Sequence, residues 1–470
     1  MMTGTELERF TAINKERAEV SDAMHQKMLG AVVYYRTLND LPEIVKNQLA
    51  FLDRDSRKPK VLCLYNGGTV GMHPEMENGR AVLVATTDEA GALLEPLKRK
   101  NLDEKMQVVW FPVWRRPIDS TDGRWPHWVS YASAAKLLYD YFDGMVDIGG
   151  TDTKSYRMAA YHYTLPNFGK PLIGVSGQKE MTAWGDDGTE NLSFGLWTAA
   201  RGDISGAHAA FRAKLRHGLH LFKIRDRSYE AFDCPTQYIL GEYQGEDEFL
   251  QFPNAPRRNL LVNSKNLIFN PDFRDGILVP DITPFTYAES LLHAATDPLT
   301  LAILLKTYGA GNVRAEALFE GETTYVDVIQ RLHERHFPFV LGSPMQDGVV
   351  LSPYASGERA IDAGAISGGD TTGATLPIKI SRALANSWWT GERREQWHKS
   401  IAATVSDREG YFRRNEPFMR GVDYAKFREE MYRSHVGELT ADIVDRIRAG
   451  KLMFDGQNHY IPTLAGGRGF

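Results

Sequence analysis

YDYFDGMVDIGGTDTKSYRMAAYHYTLPNFGKPLIGVSG, residues 139–177, decides the architecture. GMVDI is a short apolar run that breaks on two glycines, the pattern of a buried strand ending in a tight turn. SYRMAAYHYTL (155–165) places apolar residues at helical spacing, and KPLIGVSG (170–177) returns to a short apolar run. Strand, turn, helix and strand in this order predict a βαβ unit and a parallel sheet covered on both faces.

The same alternation continues on both sides. VLCLYN (61–66) reads as a strand that ends in the turn GGT (67–69), and MQVVWFPVW (106–114) as another strand. PHWVSYASAAKLLYDYF (126–142) and ENLSFGLWTAA (190–200) read as helices, and HLFKI (220–224) lies on or near a strand. A second alternating segment begins beyond the Pro- and Asn-rich connection at 250–268. ILVPDI (277–282), LAILLKTYG (301–309) and FPFVLGS (337–343) are its strands; YAESLLHAA (287–295), YVDVIQRLHERH (325–336) and ERAIDAG (358–364) are its helices. The expected organisation is a helical extension over 1–58, a larger α/β domain over 59–255, a smaller α/β domain over 256–385 and an Arg- and aromatic-rich extension over 386–470. The N-terminal extension reads as amphipathic helix from Ser21 to Leu38 and again from Leu41 to Leu52.

Composition narrows the function. The chain has 470 residues, enough for two to three domains with cores of their own. With 55 Lys plus Arg against 60 Asp plus Glu, it lacks the basic excess of a nucleic-acid binder. Its two cysteines, Cys63 and Cys234, exclude a disulfide scaffold and a cysteine-rich zinc fold and fit a reducing compartment. The polar N-terminus has no signal-peptide core and no long apolar run spans a membrane, so a cytoplasmic protein is expected.

Four segments concentrate chemistry at turns: YNGGTVGM (65–72), DSTD (119–122), GGTDT (149–153) and HLFKIRD (220–226). A threonine hydroxyl becomes a nucleophile only when a neighbouring base takes its proton. A lysine whose pKa burial has lowered is such a base, and an aspartate orients it. Thr151, Asp152 and Lys223 supply these roles, while Thr69 approaches a carbonyl from another side. The glycine turns, with Gly68 and Gly150, expose N–H groups for an oxyanion. Asp119 and Ser120 suit an α-amino and an α-carboxylate group. The chemistry described is acyl transfer from an amide to water.

The order and spacing of these motifs resemble the bacterial L-asparaginase family, closer to its cytoplasmic type I branch. YGAGNV (308–313) and AGAISGGDTTGATLPIK (363–379) resemble the family's small domain, so the likeness spans about residues 60–385. The resemblance implies a larger N-terminal parallel-sheet α/β domain, a smaller C-terminal α/β domain, and a homodimer or homotetramer. It maps Thr69 and Thr151 onto the two catalytic threonines, Asp152 and Lys223 onto their partners, and Asp119 and Ser120 onto substrate anchors. The family usually reads His-Gly-Thr-Asp-Thr, where this chain has Gly149 in place of the histidine and Lys154 after the motif. Arg80 stands where the family's loop tyrosine is expected, and there it suits an acidic group on a different substrate.

The reading that follows is hydrolysis of the side-chain amide of L-asparagine or an N-substituted asparagine, with Thr69 as first choice of nucleophile and no metal or organic cofactor. Two alternatives stand beside it: an amino-acid sensor or scaffold, and an ammonia-supplying subunit of an amidotransferase. HERH (333–336) lacks a third metal ligand and reads as a helix end. Trp110, Trp114, Trp125 and Trp128 read as core rather than pocket lining, and WWTGERREQWHK (388–399) as a packed amphipathic helix rather than a nucleic-acid surface.

Overall fold

The computed structural model describes residues 18–77, 80–85, 101–114, 117–181, 183–245, 248–346, 355–371, 373–388 and 421–439. Most of the Arg- and Trp-rich tail therefore lies outside the described residues. The chain forms two compact units, one of residues 31–271 and one that joins residues 1–30 to 272–470. No helix among the described residues is long and apolar enough to cross a membrane.

Among the described residues ahead of the first strand, helix α1 (18–30) belongs to the smaller unit and helix α2 (Glu43–Phe51) to the larger. The expected continuous helix from Ser21 to Leu38 stops at Gly30, and residues 32–36 run extended. Val32, Val33, Tyr34 and Tyr35 are β-branched or aromatic and favour extended backbone. The Val33 and Tyr35 N–H groups donate to Ser130 and Ser133 Oγ at 2.9 Å each, on helix 125–137.

The larger unit is built on an eight-stranded sheet. Its parallel half contains β1 (Lys60–Tyr65), then, beyond a hairpin of β2 (Met72–Glu77) and β3 (Arg80–Ala85), β4 (Gln107–Pro112), β5 (Gly144–Ile148), β6 (Pro171–Val175) and β7 (Gly206–Phe211). Strand β8 (Lys214–His217) turns back antiparallel, and after the short pair β9 (Phe222–Lys223) and β10 (Phe232–Asp233) come β11 (Ile239–Gly245) and β12 (Glu248–Gln251). The order across the sheet is β12-β11-β8-β7-β6-β5-β1-β4. Helices α3 (Leu102–Lys105), α4 (Trp125–Leu137), α5 (Lys154–Thr164) and α6 (Gly188–Arg201) lie between strands. The expected parallel sheet is present; its antiparallel extension is new. Two residues, Arg212 and Ala213, turn β7 into β8 with φ of 47° and 59°. Such turns usually announce themselves through Asn-Gly or Asp-Gly, and this one does not. Side-chain support replaces glycine here: the Arg212 N–H donates to Asn191 Oδ1 at 2.9 Å.

The smaller unit carries four parallel strands in sequence order: β13 (Ile277–Leu278), β14 (Ala302–Lys306), β15 (Phe339–Gly342) and β16 (Ile366–Ser367). They pack between two apolar clusters, one with α7 (Ser290–Ala294), α8 (Tyr325–Glu334) and α9 (Ala355–Asp362), the other with α10 (Thr375–Asn386) and α11 (Tyr424–Tyr432). Arg274, buried, ties α1 to this unit: it pairs with Asp22 at 2.6 Å and lies over the Trp388 ring.

One buried ion pair sets the acid limit of the smaller unit. Lys379 Nζ and Glu438 Oε1 are 2.8 Å apart, and both side chains are excluded from solvent. Burial alone would raise the Glu438 carboxyl, but Lys379 and the Val436 N–H outweigh it and hold the group down from 4.5 to about 2. A depressed carboxyl stabilises the fold above its unfolded pKa, and that contribution is lost as pH falls through the folded value. Between pH 4.5 and about 2 the unfolding free energy of the wild type should therefore fall more steeply than that of Glu438→Gln. Denaturant titrations of both proteins across this range measure the difference, and parallel curves would refute it.

Candidate active site

Glycine conformation brings the predicted turns together. Beyond β1, the Asn66 N–H donates to Ile148 O at 2.9 Å, which fastens the first turn to the end of β5. Gly68 has φ +89°, and a Cβ built there would lie 2.1 Å from Gly150 N. The two Gly-Thr turns therefore touch backbone to backbone. A Cβ on Gly150 would in turn lie 2.4 Å from Ser120 Oγ, so the DSTD segment closes the third side. This meeting point is at the carboxyl ends of parallel β1 and β5, where open α/β sheets bind their ligands.

Thr69 is half-buried and Thr151 buried. The Ser120 hydroxyl donates to Asp152 Oδ2 at 3.2 Å, and Thr153 Oγ1 donates to Ser120 O at 2.9 Å. Asp152 Oδ1 accepts from Lys223 Nζ, which also donates to Asp226 Oδ1 at 2.7 Å. Ser120, Asp152, Lys223 and Asp226 thus form one chain of charge-assisted contacts. Burial of Lys223 acts to lower its pKa, but the bonds to Asp152 and Asp226 prevail and raise it. The expected depressed lysine is not found, because Asp226, three residues on, supplies a second carboxylate. At neutral pH Lys223 is an ammonium that fixes Asp152, and it lowers the energy of negative charge nearby.

Asp119 is exposed; its Oδ1 accepts from the N–H and the hydroxyl of Thr121 at 2.9 Å each, capping the 3-10 turn at Ser120–Asp122. Arg80 stands apart. It is exposed, opens β3 opposite Glu77, and among the described residues no hydrogen bond or ion pair joins it to Thr69, Thr151, Asp152 or Lys223.

Beneath the second turn is a buried ionic cluster that motif reading did not assemble. Asp147 on β5 faces Lys154 Nζ at 2.8 Å and Arg157 Nη2 at 2.7 Å, and accepts from the Tyr161 hydroxyl at 2.6 Å and Asn66 Nδ2 at 2.9 Å. Lys154 Nζ also donates to the carbonyls of Asp147 and Val175, at 3.0 and 2.9 Å. Burial, with Arg157 adding repulsion, pushes Lys154 down to about 7. The cluster explains the missing histidine. A Cβ on Gly149 would lie 2.4 Å from Arg157 Nη2, so the guanidinium fills the space a side chain at 149 would need. Its sequence signal was an aspartate inside an apolar strand and a lysine in the first turn of an otherwise buried helix.

The tryptophans pack as core. Trp110, Trp125 and Trp128 are buried, and Trp114 donates its indole N–H to the Tyr131 hydroxyl at 2.7 Å. In the smaller unit His333 and His336 pack against Tyr424, with a 2.9 Å contact from His333 Nδ1 to its hydroxyl.

Comparison with known proteins shows the family and the fold. The family described as Asparaginase, N-terminal, matches residues 60–255. L-asparaginase 1 of Escherichia coli is 28% identical over 351 residues, covering 74% of this chain and 99% of the relative. A glutamyl-tRNA(Gln) amidotransferase subunit of Pyrococcus horikoshii is 30% identical over 371 residues, covering 76% of this chain and 79% of the relative. The thermostable L-asparaginase of Thermococcus kodakarensis shares the fold, with a TM-score of 0.62 at 24% identity over 81% of this chain and 99% of that one.

Proposed function

This chain belongs to the asparaginase family of amidohydrolases, and we propose that it hydrolyses the side-chain amide of L-asparagine or of an N-substituted asparagine through a threonine ester. The observation that carries the reading is the contact of the two Gly-Thr turns beside the Ser120–Asp152–Lys223 chain. Thr69 Oγ attacks the amide carbonyl and its proton passes to the departing nitrogen. The C–N bond breaks, ammonia or an amine leaves, and an ester on Thr69 remains. Water then attacks the ester, one of its protons returns to Thr69 Oγ, and the acid is released. Backbone N–H groups of the glycine turns face the charge that develops on the carbonyl oxygen. Thr151, Asp152 and Lys223 handle the proton: Lys223 fixes Asp152, and Thr151 on the same turn relays. Asp119 and Ser120 bind the amino-acid end of the substrate.

Ammonia release from L-asparagine and L-glutamine, and amine release from N-substituted asparagines, test this directly. Thr69→Ala and Thr151→Ala should each lower kcat by ~10³-fold or more while aspartate still binds. Turnover of substituted amides alone would assign the pocket to larger substrates. Retention of activity in both variants would refute the threonine mechanism, and silence across the panel with aspartate bound would leave an amino-acid sensor. The 30% identity to a glutamyl-tRNA(Gln) amidotransferase component favours one second reading, in which the chain passes ammonia to a partner. Amidase activity that arises only with a co-purifying partner would select it.

A further inference from the structure

Outside the proposed site, three histidines from three elements converge within the larger unit. His162 is on the last turn of α5, His208 on β7 and His217 at the end of β8. Each offers a ring nitrogen, and these three nitrogens lie within 4.8 Å of one another. His162 stacks on His217 with centroids 5.2 Å apart, and His208 meets His217 edge to face at 4.9 Å. His220, stacked on Tyr238, lies against His217 at 5.5 Å between ring centroids. Antiparallel pairing sets His208 opposite His217 across β7 and β8.

We propose that His162, His208 and His217 form a binding site for one divalent transition-metal ion, zinc or a neighbour of similar ligand preference. Three arguments carry it. The first is the donor set: three imidazoles with no carboxylate among them suit Zn²⁺, Co²⁺, Ni²⁺ or Cu²⁺ rather than Mg²⁺ or Ca²⁺. The second is outer support. His162 Nε2 meets Ala207 O at 2.7 Å and His208 Nε2 meets Ser205 O at 2.7 Å, the carbonyl partners that fix the tautomer of metal-bound histidines. The third is an unsatisfied polar atom. With its Nε2 on Ser205 O, His208 keeps a lone pair on Nδ1, and that nitrogen is buried without a partner among the described residues.

Zinc–nitrogen bonds of ~2.0–2.1 Å require the three nitrogens to draw in from their present spacing. The His217 ring is held meanwhile by the Leu219 N–H, which donates to its Nδ1 at 3.2 Å. That adjustment is small beside three metal bonds, and the fourth position falls to water. The site would be structural. Helix α5 starts just beyond the Thr151 turn and carries His162 near its end, while β8 leads through the turn Gly218–His220 to Lys223. One ion would thus tie together the two arms that hold the proposed proton-handling group, so the inference rests on the proposed active site in location only. Motif reading missed it because positions 162, 208 and 217 form no local pattern.

Binding of Co²⁺ alone to the full chain, by calorimetry and by visible d–d absorption, tests the site without any assay of turnover. The expected result is one ion per chain with a Kd on the order of 1 μM or tighter, displaced by Zn²⁺, with a rise in Tm. His162→Gln, at a half-buried position, and His208→Phe should each weaken binding more than ~10-fold, while His293→Gln should bind as wild type does. Far-UV circular dichroism establishes that each variant is folded. Substoichiometric binding by the wild type, or full binding by folded His162→Gln, would overturn the proposal.

Discussion

Replacing Asp147 by asparagine is expected to cost the larger unit ~3–5 kcal/mol of stability. The substitution keeps the shape of the side chain and removes its charge. Lys154 and Arg157 then remain buried with no counterion, 2.8 and 2.7 Å from a neutral amide. Uncompensated buried charge is what makes one-sided removal of an ion pair so damaging, whereas the net worth of an intact pair is small. Lys154 and Arg157 share one carboxylate oxygen while the Tyr161 hydroxyl and Asn66 Nδ2 share the other, so the single amide oxygen leaves one of these two pairs of donors facing an N–H₂ group. Lys154, already pushed down to about 7 by burial and Arg157, should respond by losing its proton more readily. Equilibrium urea unfolding of the variant measures the loss. Lys154→Met added to Asp147→Asn should restore part of it, since the two sites are in contact and cannot be additive. A loss below ~1 kcal/mol would mean that the cluster is not ionised as a whole.

Gly68→Ala is expected to abolish most activity, by ~10²-fold or more. Its Cβ would arrive 2.1 Å from the Gly150 nitrogen and 2.5 Å from the Gly149 carbonyl carbon. Both are backbone atoms, so no flexible side chain can give way. The two Gly-Thr turns must part, and displacements of about 1 Å at a reacting centre are enough for losses of this size. The left-handed backbone adds ~1–2 kcal/mol of strain for any residue with a Cβ. Gly185→Ala separates the two effects: its φ is +71°, but nothing lies within 4 Å of the added carbon. It should carry strain and leave turnover intact. Amide hydrolysis measured for both variants decides the matter; equal activities would show that contact between the turns is dispensable.

Apolar strands that end in glycine were the readable part of this chain. VLCLYN and GMVDI announce both a parallel strand and the turn beyond it, and the turns then carry Thr69 and Thr151. The antiparallel strands were hidden because Arg212 and Ala213 make a hairpin turn with residues that do not signal one. Helix α10 was hidden inside ATLPIK, where Pro377 sits in the first turn and its missing N–H costs nothing. The state of Lys223 was misread because only Asp152 was set beside it; Asp226, three residues on in HLFKIRD, is a second counterion that the reading gave no role. Asp147 was visible as a charge within an apolar run, but its partners emerge only when α5 folds back over β5.

The guanidinium packed on Gly149 also couples the turn to the interior beneath it. A side chain at 149 and the guanidinium of Arg157 compete for one volume, so a histidine at 149 requires Arg157 to shift. Arg157 in turn depends on the Asp147 carboxylate, and that carboxylate on Lys154. A histidine at 149 therefore asks the buried interior to rearrange as well as the turn. A substitution at 149 is therefore felt first in the buried ionic cluster, and a change at the catalytic turn becomes a change in the interior.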